Sequence, residues 1–152
     1  MKNIIFFILL LLSMAAGLGA CKKSTNFIAD ESTHSGGYLP VSTNALIDMA
    51  DNVAINNRSY AAGATFKTEL QFFSVDPVKE INLYETIGTA AKNKVATYPY
   101  ASAYSAIKKL DTLLVPYMVG AALTSGTSIK LDYEILNVNT KNLLRTVTIK
   151  VK

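Results

Sequence analysis

From Tyr38 onward, apolar and polar residues alternate with a period of two, and this alternation restricts the fold more than any other feature. The stretch TFKTELQFF shows it best: one face takes Phe66, Thr68, Leu70 and Phe72, and the other takes Lys67, Glu69 and Gln71. Successive side chains of a β-strand point to opposite faces of the sheet, whereas a helix repeats every 3.6 residues. Residues 65–73 are therefore predicted to form a half-buried strand.

Four further stretches show strand patterns. Residues 78–87 resume the alternation after the break at 74–77, and we expect this strand to pair with 65–73 as its neighbour. Residues 128–136 and 146–152, joined by turn material at 137–142, predict a hairpin whose outward-facing opposite charges pair across the strands. Residues 112–119 form another apolar strand, and Pro116 places it at a sheet edge or a bulge.

Weaker patterns complete the fold prediction. Residues 38–41 and 52–55 are weaker strand candidates, and 45–50 and 104–109 can each form one helical turn. About seven strands with no long helical period predict an all-β fold, a single immunoglobulin-like antiparallel β-sandwich over residues 38–152. A small closed barrel is the alternative.

The first 20 residues have a different character. Lys2 supplies a positive charge, residues 4–12 (IIFFILLLL) are continuously apolar, and small residues follow. This composition is typical of a secretory signal peptide. A retained membrane anchor is the alternative, because residues 4–20 are just long enough to cross a bilayer.

The end of this segment, Leu18-Gly19-Ala20-Cys21, resembles the lipobox of bacterial lipoproteins at every position. The resemblance implies that residues 1–20 are removed and that the thiol of Cys21, the only cysteine, carries a diacylglycerol thioether. The membrane is then a partner of the protein through this lipid. Residues 21–37 are polar and end in Ser-Gly-Gly, so we expect a flexible tether with a root-mean-square reach of roughly 20 to 25 Å.

Together with the lipobox and the tether, the stretches LQFFS, INLYETIG, DTLLVPYMV and TVTIKVK resemble small immunoglobulin-like lipoproteins of Bacteroidota-type bacteria. The resemblance covers most of residues 38–152. It implies anchoring in the outer membrane and a role in glycan capture beside a nutrient importer, or as an adhesin or fibre subunit. Whether the domain faces the periplasm or the cell surface stays open.

Charge and histidine content exclude several classes of function. The net charge of +4 comes from 15 Lys and Arg against 11 Asp and Glu, with two of the lysines directly after Cys21. Because the sequence contains no basic stripe, we expect no nucleic-acid partner. The only histidine, His34, lies in the expected tether, so a Ser-His-Asp or Cys-His arrangement cannot form in the folded part. We expect no catalytic residues, no metal and no cofactor.

Two groups of acidic residues could in principle serve in catalysis or metal binding. Glu69 and Glu80 could act as a carboxylate pair in glycoside hydrolysis, but both fall on strand faces predicted to be solvent-exposed. Asp48 and Asp51, with asparagines nearby, offer oxygen ligands for calcium, but their spacing is not that of an EF-hand loop. An ordinary polar turn is favoured for the second group.

The candidate binding residues are Tyr98, Tyr100 and Tyr104 in the stretch YPYASAY, which we predict to be a loop between strands. Loops on a rigid sandwich often carry function, and tyrosines can stack on sugars or anchor a protein partner. The alternative is that they cover an edge of the core. The sequence thus predicts a non-catalytic binding or structural role in the cell envelope, with glycans or envelope proteins as partners.

Overall fold

The computed structural model describes residues 37–43 and 45–152. This part of the chain forms two β-sheets and has no helix, which confirms the prediction of an all-β sandwich. Within it, no helix is long and apolar enough to cross a membrane. The predicted signal peptide at 1–20, Cys21, His34 and the tether up to residue 36 lie outside the described residues.

The described residues form eleven strands rather than about seven, because five of the strands are only two residues long. Such short strands carry too few residues to show alternation in the sequence. In chain order the strands are β1 (Val41–Ser42), β2 (Ile47–Asp48), β3 (Val53–Ala54), β4 (Ser59–Tyr60), β5 (Thr65–Phe73), β6 (Val78–Ile87), β7 (Asn93–Pro99), β8 (Tyr104–Ser105), β9 (Leu110–Met118), β10 (Ser128–Asn137) and β11 (Asn142–Val151).

The strands divide between two sheets that enclose the core. The first sheet has the order β3-β2-β5-β9-β8, with β1 also paired to β5, and the second has the order β4-β11-β10-β6-β7. All pairs are antiparallel except β4 with β11, which is parallel through Ser59 beside Lys150 and Tyr60 beside Val151. The predicted hairpin of β10 and β11 is confirmed.

The expected pairing of β5 with β6 is wrong, because the two strands belong to different sheets. β5 pairs with β9, and β6 pairs with β10 and β7. Pro77 lies in the connection between them and has no N–H to donate to a continuing ladder. Crossing from one sheet to the other lets the apolar faces of both strands bury against each other.

Other departures from the predictions fall on short or exposed segments. The regions 45–50 and 104–109 contain β2 and β8, each followed by a turn, instead of a helical turn. Strand β7 was not predicted, because most of its residues are exposed at a sheet edge and show no apolar face. In the hairpin, Lys130 lies opposite Thr148 and Asp132 opposite Thr146, so the expected cross-strand charge pairs do not form there.

The core between the sheets is filled by alternate residues of the long strands. Tyr133 is the largest fully buried side chain, and its hydroxyl shares a hydrogen bond of 3.0 Å with the hydroxyl of Thr68 in the facing sheet. Burial raises the pKa of Tyr133 to about 12, against the opposing effect of that hydrogen bond. Other members of the same core cluster that are 0 or 1% exposed include Leu70, Leu83, Val115, Leu131 and Ile135.

The strand registers define two ends of the sandwich. At one end, the pairs Val41 with Phe73 and Val78 with Asn137 close the sheets. We call it the entry end, because the described chain begins there at Gly37. The opposite end, which we call the far end, carries the loops 61–64, 88–92 and 119–127.

Candidate binding site

A pocket opens in the first sheet where the short strand β2 stops alongside β5. The backbone N–H of Met49 donates to the carbonyl of Lys67 over 2.9 Å, just after β2 ends. The pocket beside this point has a volume of about 380 Å³ and lies toward the far end. We call it the notch, and its lining residues are Asp48, Met49, Ala50, Tyr60, Thr65, Phe66 and Lys67.

The floor of the notch is the start of an aromatic row that links the two sheets. The ring of Tyr60 stacks on Phe66 with centroids 4.1 Å apart, and Phe66 meets Tyr117 at 5.6 Å. Tyr60 is only 8% exposed and Phe66 only 5%. At the inner end of the row, the Tyr117 hydroxyl donates to the Glu85 carboxylate over 2.8 Å. These contacts hold the rings in place without a ligand, so the floor of the notch is preformed.

The polar group of the notch is the carboxylate of Asp48, which is 2% exposed. It accepts hydrogen bonds of 2.9 Å from the hydroxyl of Tyr60 and from the backbone N–H of Ala50, and Arg58 lies 3.5 Å away. A carboxylate has about four acceptor positions, so these contacts leave acceptor capacity. Burial and the hydrogen bond to Asp48 raise the pKa of Tyr60, which keeps its hydroxyl a donor.

Arg58 braces the notch from outside. Its guanidinium binds both carboxylate oxygens of Asp51, at 2.7 and 2.5 Å, and lies 5.4 Å from the centroid of the Tyr60 ring. The hydrogen bond from Arg58 lowers the pKa of Asp51. Asp48 and Asp51 thus flank a turn and share one arginine, in agreement with the polar-turn interpretation. Among the described residues, no group of three His, Cys, Asp or Glu side chains could hold a metal ion.

The three predicted tyrosines lie on both sheets instead of in one loop. Tyr98 is in β7 and packs half-buried against the core. Tyr100 directly follows β7, donates its hydroxyl to Asp111 over 3.0 Å and meets Phe72 edge-on at 6.3 Å. Tyr104 is in β8 and is 62% exposed. Covering a core edge describes Tyr98 and, in part, Tyr100, whereas Tyr104 has a largely free surface.

Both Tyr100 and Tyr104 are placed by Asp111 on β9. The carboxylate of Asp111 also accepts the backbone N–H of Ala103 over 3.0 Å, and Tyr104 pairs with Asp111 in the strand register. Asp111 lies opposite Phe72, at the entry end. The tyrosines and the notch are therefore separate candidate sites at different ends of the sandwich.

The sequence predicted an exposed face for Glu69, but this residue is only 4% exposed. Lys108 binds its carboxylate, and the side-chain amide of Gln71 donates to it over 2.5 Å. Burial raises the pKa of Glu69, but the hydrogen bonds from Lys108 and Gln71 lower it further, so the net shift is downward. Glu80 lies in the other sheet, so the two carboxylates do not form a pair.

The terminal strand β11 is partly covered along its outer edge. Near its end it pairs with β4, and the N–H and carbonyl groups of Thr148 bond to Asn56 and Asn57 at 3.0 and 2.5 Å. Further back, Arg145 donates to the carbonyl of Ser42 over 2.6 Å. The edge is therefore covered by backbone pairing from Thr148 onward, and before that point it has the side-chain contact of Arg145.

Sequence reasoning did not find the notch, because its residues carry no local signature. Asp48 belongs to the first sheet and Tyr60 to the second, and the intervening residues read as ordinary turns. Only the packing of the two sheets brings the carboxylate and the ring together.

Comparisons with known proteins show no family for this chain. No family model matches it, and no curated protein matches its sequence. Among solved structures, it is similar to a Niemann-Pick type C2 protein from the Japanese carpenter ant, with 12% identity and a TM-score of 0.46 over 76% of this chain and 95% of that chain. A likeness at this level carries no argument about function.

Proposed function

We propose that the protein is a lipid-anchored, non-catalytic binding protein of the cell envelope and that the notch is its ligand site. The anchor is supported by the lipobox at Cys21. The absence of catalysis is supported by the sequence, whose single histidine falls in the expected tether. The binding role is carried by one observation, the preformed notch.

The chemistry of the notch favours a small ligand with one flat apolar face and hydroxyl groups at its rim, such as a sugar unit of a glycan. Its volume of about 380 Å³ falls within the usual range of small-molecule sites. The rings of Tyr60 and Phe66 provide an apolar floor, while Asp48 can accept a hydroxyl hydrogen and Lys67 can donate. The site therefore combines shape with a few fixed polar groups, as ligand sites do.

The test is a glycan-array screen of the purified protein, followed by calorimetric titration of the best glycan. Lys67→Ala and Thr65→Arg change the rim of the notch without touching the buried floor, and both should weaken binding. Lys130→Ala, which removes an exposed lysine from the other sheet, is the matched control and should bind as wild type does.

A tyrosine site at the entry end is tested in the same assay. If Tyr100→Ala and Tyr104→Ala abolish binding while the notch variants bind normally, glycan capture stands and the notch is not its site. No binding to any glycan, together with unchanged stability on adding small envelope metabolites, would overturn the ligand-binding role.

The anchor is tested separately in cells. Labelling with a clickable palmitate analogue should mark the wild-type protein and leave Cys21→Ala unmarked. Protease treatment of intact cells then distinguishes the two faces of the membrane, because a surface domain is shaved and a periplasmic one is protected. A role as a fibre subunit receives less support, because the last part of the β11 edge, from Thr148 onward, is covered.

A further inference from the structure

The most exposed apolar side chains are concentrated at the entry end. Seven described large apolar or tyrosine side chains are more than half exposed, and five of them lie in or beside the loops of this end. They are Leu39 at 60%, Val75 at 69%, Tyr104 at 62%, Ile107 at 93% and Val138 at 58%. We call these five residues the apolar tips.

The apolar tips come from separate loops that the strand registers bring to one end. Val75 lies in the crossing from β5 to β6, and Val138 in the β10–β11 turn, where its N–H donates to the carbonyl of Pro77 over 3.0 Å. Ile107 is at the tip of the β8–β9 turn, closed by the N–H of Lys109 bonding to Ser105 over 2.7 Å. Exposed apolar residues gathered from several loops commonly mark an interaction surface.

The chain also enters the domain at this end and is clamped there. The carboxylate of Asp76 accepts the backbone N–H of Tyr38 and, over 2.7 Å, the side-chain amide of Asn139. Gly37 has a φ of 78°, and a Cβ at this position would lie 2.1 Å from the Asn139 amide nitrogen. The first described residues are therefore held at the entry end.

The charges at this end suit a phospholipid headgroup layer. Lys79 and Lys109 are exposed there, whereas Lys108 at the same end is paired with the carboxylate of Glu69. The carboxylates of Asp76 and Asp111 are engaged by hydrogen bonds within the domain. Tyrosine and lysine side chains around apolar ones favour a membrane interface, because their apolar parts can be buried in the lipid while their polar ends stay in water.

We propose that the entry end is the membrane-facing surface of the domain and that the apolar tips insert into the lipid interface. This proposal rests on the lipid anchor of the proposed function. The tether predicted from the sequence reaches roughly 20 to 25 Å. The ten-residue strands β10 and β11 are each about 33 Å long at about 3.3 Å per residue. Presenting the far end to the bilayer would require the tether to run back along the whole sandwich. In the proposed orientation, the notch lies toward the end of the domain that is farther from the membrane.

The experiment uses the full acylated protein in vesicles of phosphatidylethanolamine and phosphatidylglycerol. Single cysteines are introduced as Val75→Cys, Ile107→Cys and Val138→Cys, with Ser125→Cys in a far-end loop as the matched control. Acylation blocks the sulfur of Cys21, so an environment-sensitive dye labels only the new thiol. All four positions are exposed, and circular dichroism verifies the fold.

The expected result is a shift of dye emission to shorter wavelength and quenching by spin-labelled lipid at residues 75, 107 and 138, with neither effect at 125. If intact mass shows the acyl groups and the vesicles retain the protein, but all four dyes report water, the inference fails and the anchor stands. If the intact mass lacks the acyl groups and the protein does not float with vesicles, the anchor fails, and the membrane-facing end fails with it.

Discussion

The carboxylate of Asp48 in the first sheet accepts a hydrogen bond of 2.9 Å from the hydroxyl of Tyr60 in the second sheet. This bond joins the sheets at the notch and fixes the ring that forms its floor. Because Asp48 is almost fully buried, the bond is made to a charged group shielded from water, where such bonds contribute more than neutral ones.

Tyr60→Phe should therefore destabilise the protein by about 1.5–3 kcal/mol, the usual contribution of a hydrogen bond to a charged group. The ring and its stacking on Phe66 are retained, so the loss reports the hydroxyl. Urea denaturation followed by circular dichroism measures it. Tyr104→Phe is the control, because this tyrosine is largely exposed and should unfold as wild type does. Equal midpoints for the two variants would contradict the importance of the Asp48 bond.

A second prediction concerns the hydrogen bond between Thr68 and Tyr133 inside the core. Removing one hydroxyl deprives the other of a hydrogen-bond partner in an apolar environment. Tyr133→Phe and Thr68→Val should therefore each lower the free energy of unfolding by about 1–2 kcal/mol. The double variant should lose less than the sum, with a coupling of about 1 kcal/mol. A double-mutant cycle from urea denaturation measures it, and strict additivity would show that the two hydroxyls do not interact energetically.

The pH dependence of stability should include a contribution from Asp132 on β10. This carboxylate is 1% exposed, and Lys92 and Thr146 bond to it at 2.8 and 2.5 Å. Burial raises its pKa, but the bonds from Lys92 and Thr146 together lower it by more than burial raises it. The folded pKa therefore lies below the unfolded value. The stabilisation is therefore complete above the unfolded pKa of about 3.9 and is lost as the pH falls through the folded pKa.

Asp132→Asn should accordingly flatten the fall in unfolding free energy below about pH 4, whatever its effect at neutral pH. Lys92→Gln should flatten it in part, because Thr146 still bonds to the carboxylate. Lys150→Gln removes an exposed lysine from the neighbouring strand and should leave the slope unchanged. The measurement is urea denaturation from pH 3 to pH 7, and parallel curves for wild type and Asp132→Asn would rule out the assignment.

The last prediction concerns the open edge of β9. The N–H of Thr112 points toward β8, whereas the N–H of Val119, just after β9, points toward β5. Because backbone groups alternate in direction along a strand, the N–H groups of the even-numbered residues of β9 point to the side on which β8 pairs. Pro116 is one of these even-numbered residues. It lies beyond Leu110 and Asp111, the two residues of β9 that pair with β8, and it has no N–H to offer to another strand. This position confirms the expectation that the proline marks a sheet edge.

Pro116→Val should restore an edge N–H and promote concentration-dependent association, measured by sedimentation velocity. Adding Leu114→Lys to that variant places a charge on the same strand and should reverse the effect. A Pro116→Val protein that sediments as wild type does at every concentration would show that the proline does not protect this edge.

Strand positions and faces were accessible to sequence reasoning wherever a strand is long and has one buried face. β5 and β6 occur within their predicted bounds, and Phe66, Leu70 and Phe72 point into the core as their spacing required. β7 was missed because an exposed edge strand does not need alternation. For the same reason the sequence around Tyr98 predicts a loop, whereas the residue lies in β7.

The alternation of residues by itself determined that this chain forms an all-β sandwich, because side-chain direction along a strand is a local property of the backbone. The tertiary structure alone decided that β5 and β6 belong to different sheets, that Lys108 covers the carboxylate of Glu69, and that Asp48 meets Tyr60. These contacts depend on which strands pair and how the two sheets face each other. That choice depends on how the apolar faces of all the strands bury against one another, so it is not written in any single stretch of residues.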